Sequence, residues 1–242
     1  MRMPEDTKVE DIEVGSHARC NIMCSILTLG MVPIEWVVGF GRMQMPINGR
    51  VSQHIVKGQE VGKARNMCVE HILSMPKNER PKWLFFLGDD MIPSWDGFVK
   101  LYEEAEKDKW DCLTGLYFVK QEPPTPLMWR NDIIGRMKPG RDFKVGEVVR
   151  VDMTGLDFTL IRVSILERMA VEQTGPFFKT GPTPQSDIPT GIKGYRSDDT
   201  KSINLHTEDY WFYNKVKELD GTIGVHTGVR VAHLDVYSGA IY

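Results

Sequence analysis

WLFFLGDDMIP, residues 83–93, is the stretch on which the fold turns. Its first five residues form an unbroken apolar run of the kind found in a central parallel strand, buried on both faces. Gly88, Asp89 and Asp90 follow at once. In an open α/β sheet the carboxyl ends of the strands frame the ligand crevice, so carboxylates there can hold a hard divalent cation and, through it, a diphosphate. The same residues also suit a plain turn before a helix, and a motif this short admits both readings.

Upstream, residues 21–29 (NIMCSILTL) read as a buried strand, with Thr28 near its carboxyl end, and residues 33–43 as a helix. A second strand is expected at 51–56. A second helix is expected over Val61–Ser74, with Val61, Ala64, Cys68 and Ile72 on one face. Downstream, Pro93 and the N-cap candidate Ser94 open a helix to about Lys107, turning Phe98, Leu101 and Ala105 inward. Residues 111–116 make the next strand. Strands alternating with helices in this way predict a doubly wound α/β sheet. After Tyr117 the pattern loosens. Residues 119–150 are rich in Pro, Gly and charge, a strand resumes at 148–153, and a strand and helix occupy 158–169. Residues 174–204 lack periodicity. A helix at 207–219 and strands at 222–225 and 229–234 close the chain, which reads as a single domain (19–242) after an N-terminal arm expected to be flexible (1–18).

The bulk properties exclude more than they assign. A formal net charge of −3 gives no global attraction to nucleic acid or anionic lipid. No run of 18 apolar residues is present and the start is polar and acidic, so neither a membrane span nor a secretory signal is expected. Cys20, Cys24, Cys68 and Cys112 fall mostly within predicted elements, where thiols act as small core residues. His17, Cys20 and Cys24 lack a second ligand pair, so a reduced, cytoplasmic protein without structural zinc is expected.

Three further stretches carry chemistry. In TEDYWFYNKVKEL, Glu208 and Asp209 occupy the first turn of a helix, where negative charge also suits the helix dipole with no function at all. In VRVAHLD, His233 lies near the end of a late strand, as a ligand or as a satisfied core histidine. In DMTGLDFTLI, Gly155 interrupts a strand pattern and suggests a close backbone approach.

Taken in chain order, the four features resemble the GT-A superfamily of glycosyltransferases, particularly inverting family-2-like members, over roughly residues 21–235. Family members place a DxD motif at the end of a strand, then a glycine-containing loop, an xED motif and a late histidine. Here these are similar to Gly88-Asp89-Asp90, Thr154-Gly155-Leu156, Thr207-Glu208-Asp209 and His233. Arg65 and Asn66, in VGKARN, resemble the Arg-Asn helix start that lies near the nucleotide. The resemblance implies a central mixed, mostly parallel sheet flanked by helices. Residues 19–118 would form the nucleotide-sugar-binding half, and 119–242 the acceptor and catalytic half. It further implies a nucleotide-sugar donor (a UDP-sugar first) contacted by Thr28, Arg65, Asn66, Asp89, Asp90 and Gly155. A cation, Mn²⁺ or Mg²⁺, would sit on Asp90 and His233. Asp209, with Glu208 beside it, would act as base, and the sugar carbon would be inverted. Pro93, three residues past Asp90, sets the register, so Gly88 stands where the family has the first aspartate.

A nucleotidyltransferase and a non-catalytic sugar-binding module are the alternatives. The first would show a basic Gly-rich phosphate loop early in the chain, and the second would make the TED triplet and His233 coincidental. The acceptor is not named by these residues. Similar small enzymes encoded by phages, which act in the host cytoplasm, include some that glycosylate hydroxymethylated DNA bases. Between residues 119 and 150, Lys120, Arg130, Arg136, Lys138, Arg141, Lys144 and Arg150 outnumber Glu122, Asp132, Asp142 and Glu147, with Trp129 beside Arg130. Such a strip suits a phosphate backbone or a plain solvated loop. Phe177, Phe178, Gly181, Gly191, Gly194 and Tyr195 make residues 174–204 a candidate lid.

Overall fold

The computed structural model describes residues 20–133, 136–182 and 205–242. The N-terminal arm and most of the candidate lid, including Gly191, Gly194 and Tyr195, lie outside them. The first half alternates as expected: β1 (Ile22–Thr28), α1 (Ile34–Arg42), β2 (Val51–Lys57), α2 (Val61–Ser74), β3 (Trp83–Gly88), β4 (Met91–Pro93), α3 (Gly97–Ala105) and β5 (Cys112–Leu116). The second half holds β6 (Met128–Trp129), β7 (Val148–Arg150), β8 (Met153–Thr154), β9 (Phe158–Arg162), α4 (Val163–Glu172), β10 (Gly181–Pro182), β11 (Leu205–His206), α5 (Glu208–Glu218) and β12 (Ile223–His233).

One sheet takes strands from both halves, in the order β2-β1-β3-β9-β5-β12-β4, with β7 also on β12. β2, β1 and β3 are mutually parallel, as are β5 and β12, while β9 runs antiparallel between β3 and β5. This is the mixed, mostly parallel α/β sheet that the resemblance implied. β3 is fully buried, and its side chains alternate between two cores. Leu84 and Phe86 pack with residues of α2, α4 and α5, and Trp83, Phe85 and Leu87 with residues of α1 and α3. Burying one such side chain stabilises by about 1.5–3 kcal/mol, so this strand fixes the three layers. No helix among the described residues is long and apolar enough to cross a membrane. Cys24, Cys68 and Cys112 are buried free thiols, and burial pushes the Cys24 thiol up to about 12, which keeps it inert.

Four expectations need correction. Residues 91–93 do not open a helix; they pair antiparallel with β12, and α3 starts after Asp96 with no cap from Ser94. Backbone pairing took the residues that local signals gave to the helix. The strand expected at 148–153 divides, β7 joining β12 and β8 joining β6. The two late strands are one, with an irregularity between His226 and Arg230. On α2, Val61 is exposed while Gly62, Ala64, Arg65, Cys68, Val69 and Ile72 are buried. The face rotates towards Arg65, whose charge is met by carboxylates that a polarity pattern does not anticipate.

Candidate active site

Strand pairing brings Asp90 to His233. Met91 lies opposite His233 where β4 meets β12, and the Leu234 amide donates to the Asp90 carbonyl at 2.8 Å. His233 Nε2 is thereby held 3.3 Å from Asp90 Oδ2. The other ring nitrogen, Nδ1, lies 2.8 Å from the Phe118 carbonyl. A carbonyl can only accept, so Nδ1 carries a proton, and Nε2 is the nitrogen turned to the carboxylate, donating to it when protonated and offering a lone pair to a cation when not. Lys120 Nζ donates to the same Oδ2 at 2.6 Å. Burial works to raise the Asp90 carboxyl, but the bonds from His233 and Lys120 outweigh it and hold it below the ordinary range. Next to it, burial raises the Asp89 carboxyl, tempered by the Thr28 hydroxyl at the end of β1.

The pair fits a hard cation. Ligand atoms at adjacent corners of an octahedron with bonds of about 2.1 Å stand roughly 3 Å apart, close to the observed separation. Among the described residues no group of three His, Cys, Asp or Glu side chains converges to hold a metal ion. Mn²⁺ or Mg²⁺ on Asp90 and His233 would therefore need phosphate oxygens and water to complete its shell.

The second cluster centres on Arg65, whose side chain is only 1% exposed. Its Nη1 donates to Glu208 Oε1 and to Asp209 Oδ1, both at 2.6 Å, and its Nη2 donates to Asp157 Oδ1 at 2.5 Å. Three carboxylates thus share one guanidinium. Burial pushes the Asp209 carboxyl up to about 8; Arg65 opposes this, while Glu208 and Asp157 add to it. The two acids of α5 are not equivalent. Glu208 is engaged at both oxygens, by Arg65 and by the Thr180 hydroxyl at 3.4 Å. Asp209 is held at Oδ1 alone among the described residues, and its side chain keeps 19% of its exposure. Thr207 caps the helix by accepting from the Tyr210 amide.

Gly88 joins the two clusters. A Cβ added there would stand 2.9 Å from Asp157 Cβ and 3.1 Å from Asp90 Oδ1. The Asp157 carboxylate therefore lies over the residue that departs from the family motif, next to Asp90. Asp209 and Asp157 are joined through Arg65, and Asp90 and His233 through their own contact, with Asp157 and Asp90 both against Gly88 at the carboxyl end of β3. Asp157 and Lys120 are the residues that sequence reading did not assign to this site. The signal for Asp157 was a lone charge inside the apolar run LDFTLI; Lys120 carried none beyond its place in a basic strip.

Other expected site residues face the protein's own atoms. Arg65 is enclosed by its carboxylates and offers a nucleotide no accessible surface. Asn66 exchanges hydrogen bonds with the Phe178 backbone, donating from Nδ2 at 2.7 Å and accepting at Oδ1 at 3.1 Å. Phe178 itself is core, stacked on Phe212, and not a lid aromatic. The close approach at Gly155 is to Tyr117, whose hydroxyl occupies the space a Cβ would need. In the basic strip, Arg130 pairs with Asp132 and Arg141 with Asp142, and Arg136 lies over the half-buried Trp129 ring. These pairs cancel equal numbers of each charge, so the strip keeps its positive excess, carried by Lys120, Arg136, Lys138, Lys144 and Arg150 against Glu122 and Glu147.

No family model and no curated protein sequence matches the chain. Among solved structures, A197 from STIV is similar with a TM-score of 0.57 and 16% identity, over 91% of this chain and 92% of that one. The two share a fold across nearly their whole lengths. GalNAc-T7, solved with UDP, GalNAc and Mn²⁺, aligns at a TM-score of 0.46 and 10% identity over 89% of this chain and 44% of its own. S. aureus TarS 1–349, solved with UDP-GlcNAc, aligns at 0.46 and 12% over 85% of this chain and 55% of its own.

Proposed function

We propose that the protein is a glycosyltransferase, moving a sugar from a nucleoside-diphosphate sugar, a UDP-sugar first, to an acceptor hydroxyl with inversion. The observation that carries the reading is the pair of clusters above. They bring a cation-ligand pair, Asp90 and His233, and a carboxylate with one oxygen unengaged, Asp209, into two groups that meet at Gly88. A divalent cation, Mn²⁺ or Mg²⁺, would supply positive charge against the departing diphosphate. Asp90 and His233 would hold it, with the Phe118 carbonyl fixing a proton on Nδ1 of the ring.

Asp209 accepts the proton of the acceptor hydroxyl at its free oxygen, since a hydroxyl is a poor nucleophile near neutral pH. Glu208 and Arg65 orient it. A raised carboxyl pKa favours this role, because a stronger base takes the proton more readily. Attack from the side opposite the leaving group gives inversion. Asp89, hydrogen-bonded by Thr28, faces the donor. The test is a panel of nucleotide sugars incubated with Mn²⁺, with hydroxylic acceptors that include hydroxymethylated DNA, read as nucleoside diphosphate release. Release is expected with at least one donor, and chelator or Asp90→Ala should abolish it. Undiminished turnover in excess EDTA would remove the cation from the scheme, and no release from any donor would count against the enzyme.

A further inference from the structure

One oxygen, Asp90 Oδ2, is the meeting point of two side chains that serve different ends. His233 Nε2 stands 3.3 Å away, at ligand-to-ligand distance, and Lys120 Nζ stands 2.6 Å away as an ion pair. An ammonium and a dication cannot both neutralise that oxygen at contact, because their mutual repulsion at a few ångströms rivals either attraction. Lys120 is carried on the segment that leaves the end of β5, closed by Val119 donating to the Thr125 carbonyl and Leu127 donating to the Tyr117 carbonyl. Its side chain is 27% exposed, so it has open space to turn into. Tethered in this way, the displaced ammonium remains beside the cation, within reach of the diphosphate that the cation attracts, with the exposed Asp235 carboxylate as the protein's own weaker alternative.

Resting on the proposed cation site, the geometry points to Lys120 as a donor-binding residue that neutralises Asp90 in the free protein and passes to the donor diphosphate when the cation takes Asp90. The two ligands then load together. Cation alone must displace the lysine towards solvent and the exposed Asp235, whereas cation with nucleotide gives the lysine a diphosphate partner at the site. Binding coupled in this way is reciprocal, so nucleotide strengthens cation binding by the factor by which cation strengthens nucleotide binding.

The test is Lys120→Met, with Lys120→Arg as the charge-keeping control, in titrations of Mn²⁺ alone (by its paramagnetic resonance signal) and of UDP in saturating Mn²⁺ (by calorimetry). Without its competitor, Lys120→Met should bind Mn²⁺ alone about tenfold more tightly, and without its phosphate contact it should bind UDP about tenfold more weakly, the scale of one hydrogen bond to a charged group. Lys120→Arg should return both affinities towards wild type. Opposite signs in the two titrations are the signature. Two unchanged affinities, or a loss in both, would overturn the exchange and leave Lys120 a surface ion pair. If neither wild type nor Lys120→Met binds Mn²⁺, the cation site itself fails and the exchange with it. If Mn²⁺ binds in a manner lost with Asp90→Ala, and Lys120→Met leaves it unmoved, the site stands and only the exchange fails.

Discussion

Arg65→Met removes the one positive charge around which Glu208, Asp209 and Asp157 are gathered, and keeps the length of the chain. All three contacts are at 2.5–2.6 Å and the arginine is 1% exposed, so water cannot replace it without opening the interface between α2 and α5. Breaking a buried ion pair from one side costs about 3–5 kcal/mol, against a total stability of roughly 5–15 kcal/mol for a typical protein. For a chain of this size that corresponds to a fall in Tm of roughly 10 °C or more. The cost is electrostatic, so it must depend on pH. Burial already raises the Asp209 carboxyl to about 8 against the pull of Arg65, and without Arg65 it rises further, so the folded variant holds a proton that the unfolded chain releases. The deficit is therefore largest above that raised value and shrinks as pH falls through it. The assay is urea unfolding of wild type and variant at several pH values, with Arg65→Lys as the variant that keeps the charge but loses the fork. A loss under about 1 kcal/mol at pH 8, or a loss independent of pH, would refute the idea that Arg65 is the electrostatic centre of the site.

Asp209→Asn keeps the shape and the Arg65 contact but cannot take a proton; kcat should fall on the order of 10²–10⁴-fold with little change in donor affinity, and a near-normal kcat would reduce Asp209 to a helix-terminus residue. With burial raising the Asp209 carboxyl to about 8, the base is protonated at lower pH, so kcat should climb with pH and level off above about 8. A profile flat between about pH 6 and 9 would speak against this base. Gly155→Ala would drive a methyl group into the Tyr117 hydroxyl and should destabilise by about 1–3 kcal/mol or more, as overpacked cores do; thermal unfolding reads it, and an unchanged Tm would mean the contact is loose.

The fold was legible where periodicity is strong. The apolar run before Gly88 and the spacing of Ala64, Cys68 and Ile72 give β3 and α2 directly, because burial imposes those patterns on the sequence. The second half was blurred for a physical reason. β4, β7 and β8 are two or three residues long, and pairing across the fold, not local preference, makes them strands. At the site, Asp90, His233, Glu208 and Asp209 were marked by residue type and order, and the structure gathers them into two clusters that meet at Gly88. Arg65 and Asn66 were marked as nucleotide contacts; in the structure Arg65 is buried among carboxylates and the half-buried Asn66 bonds the Phe178 backbone. Asp157 escaped notice because its relation to Gly88 is cross-strand: two positions far apart in the chain meet only when β9 runs antiparallel beside β3.

In the proposed function a divalent cation on Asp90 and His233 would carry the diphosphate of the donor. Calorimetric titration of UDP into the protein, in Mn²⁺ and in excess EDTA, tests it most directly, with His233→Ala as the variant that removes one ligand. Binding should require Mn²⁺ and weaken at least about tenfold in the variant, in line with the loss of one ligand or its support. Equal UDP affinity with and without the cation, or in wild type and His233→Ala, would contradict it.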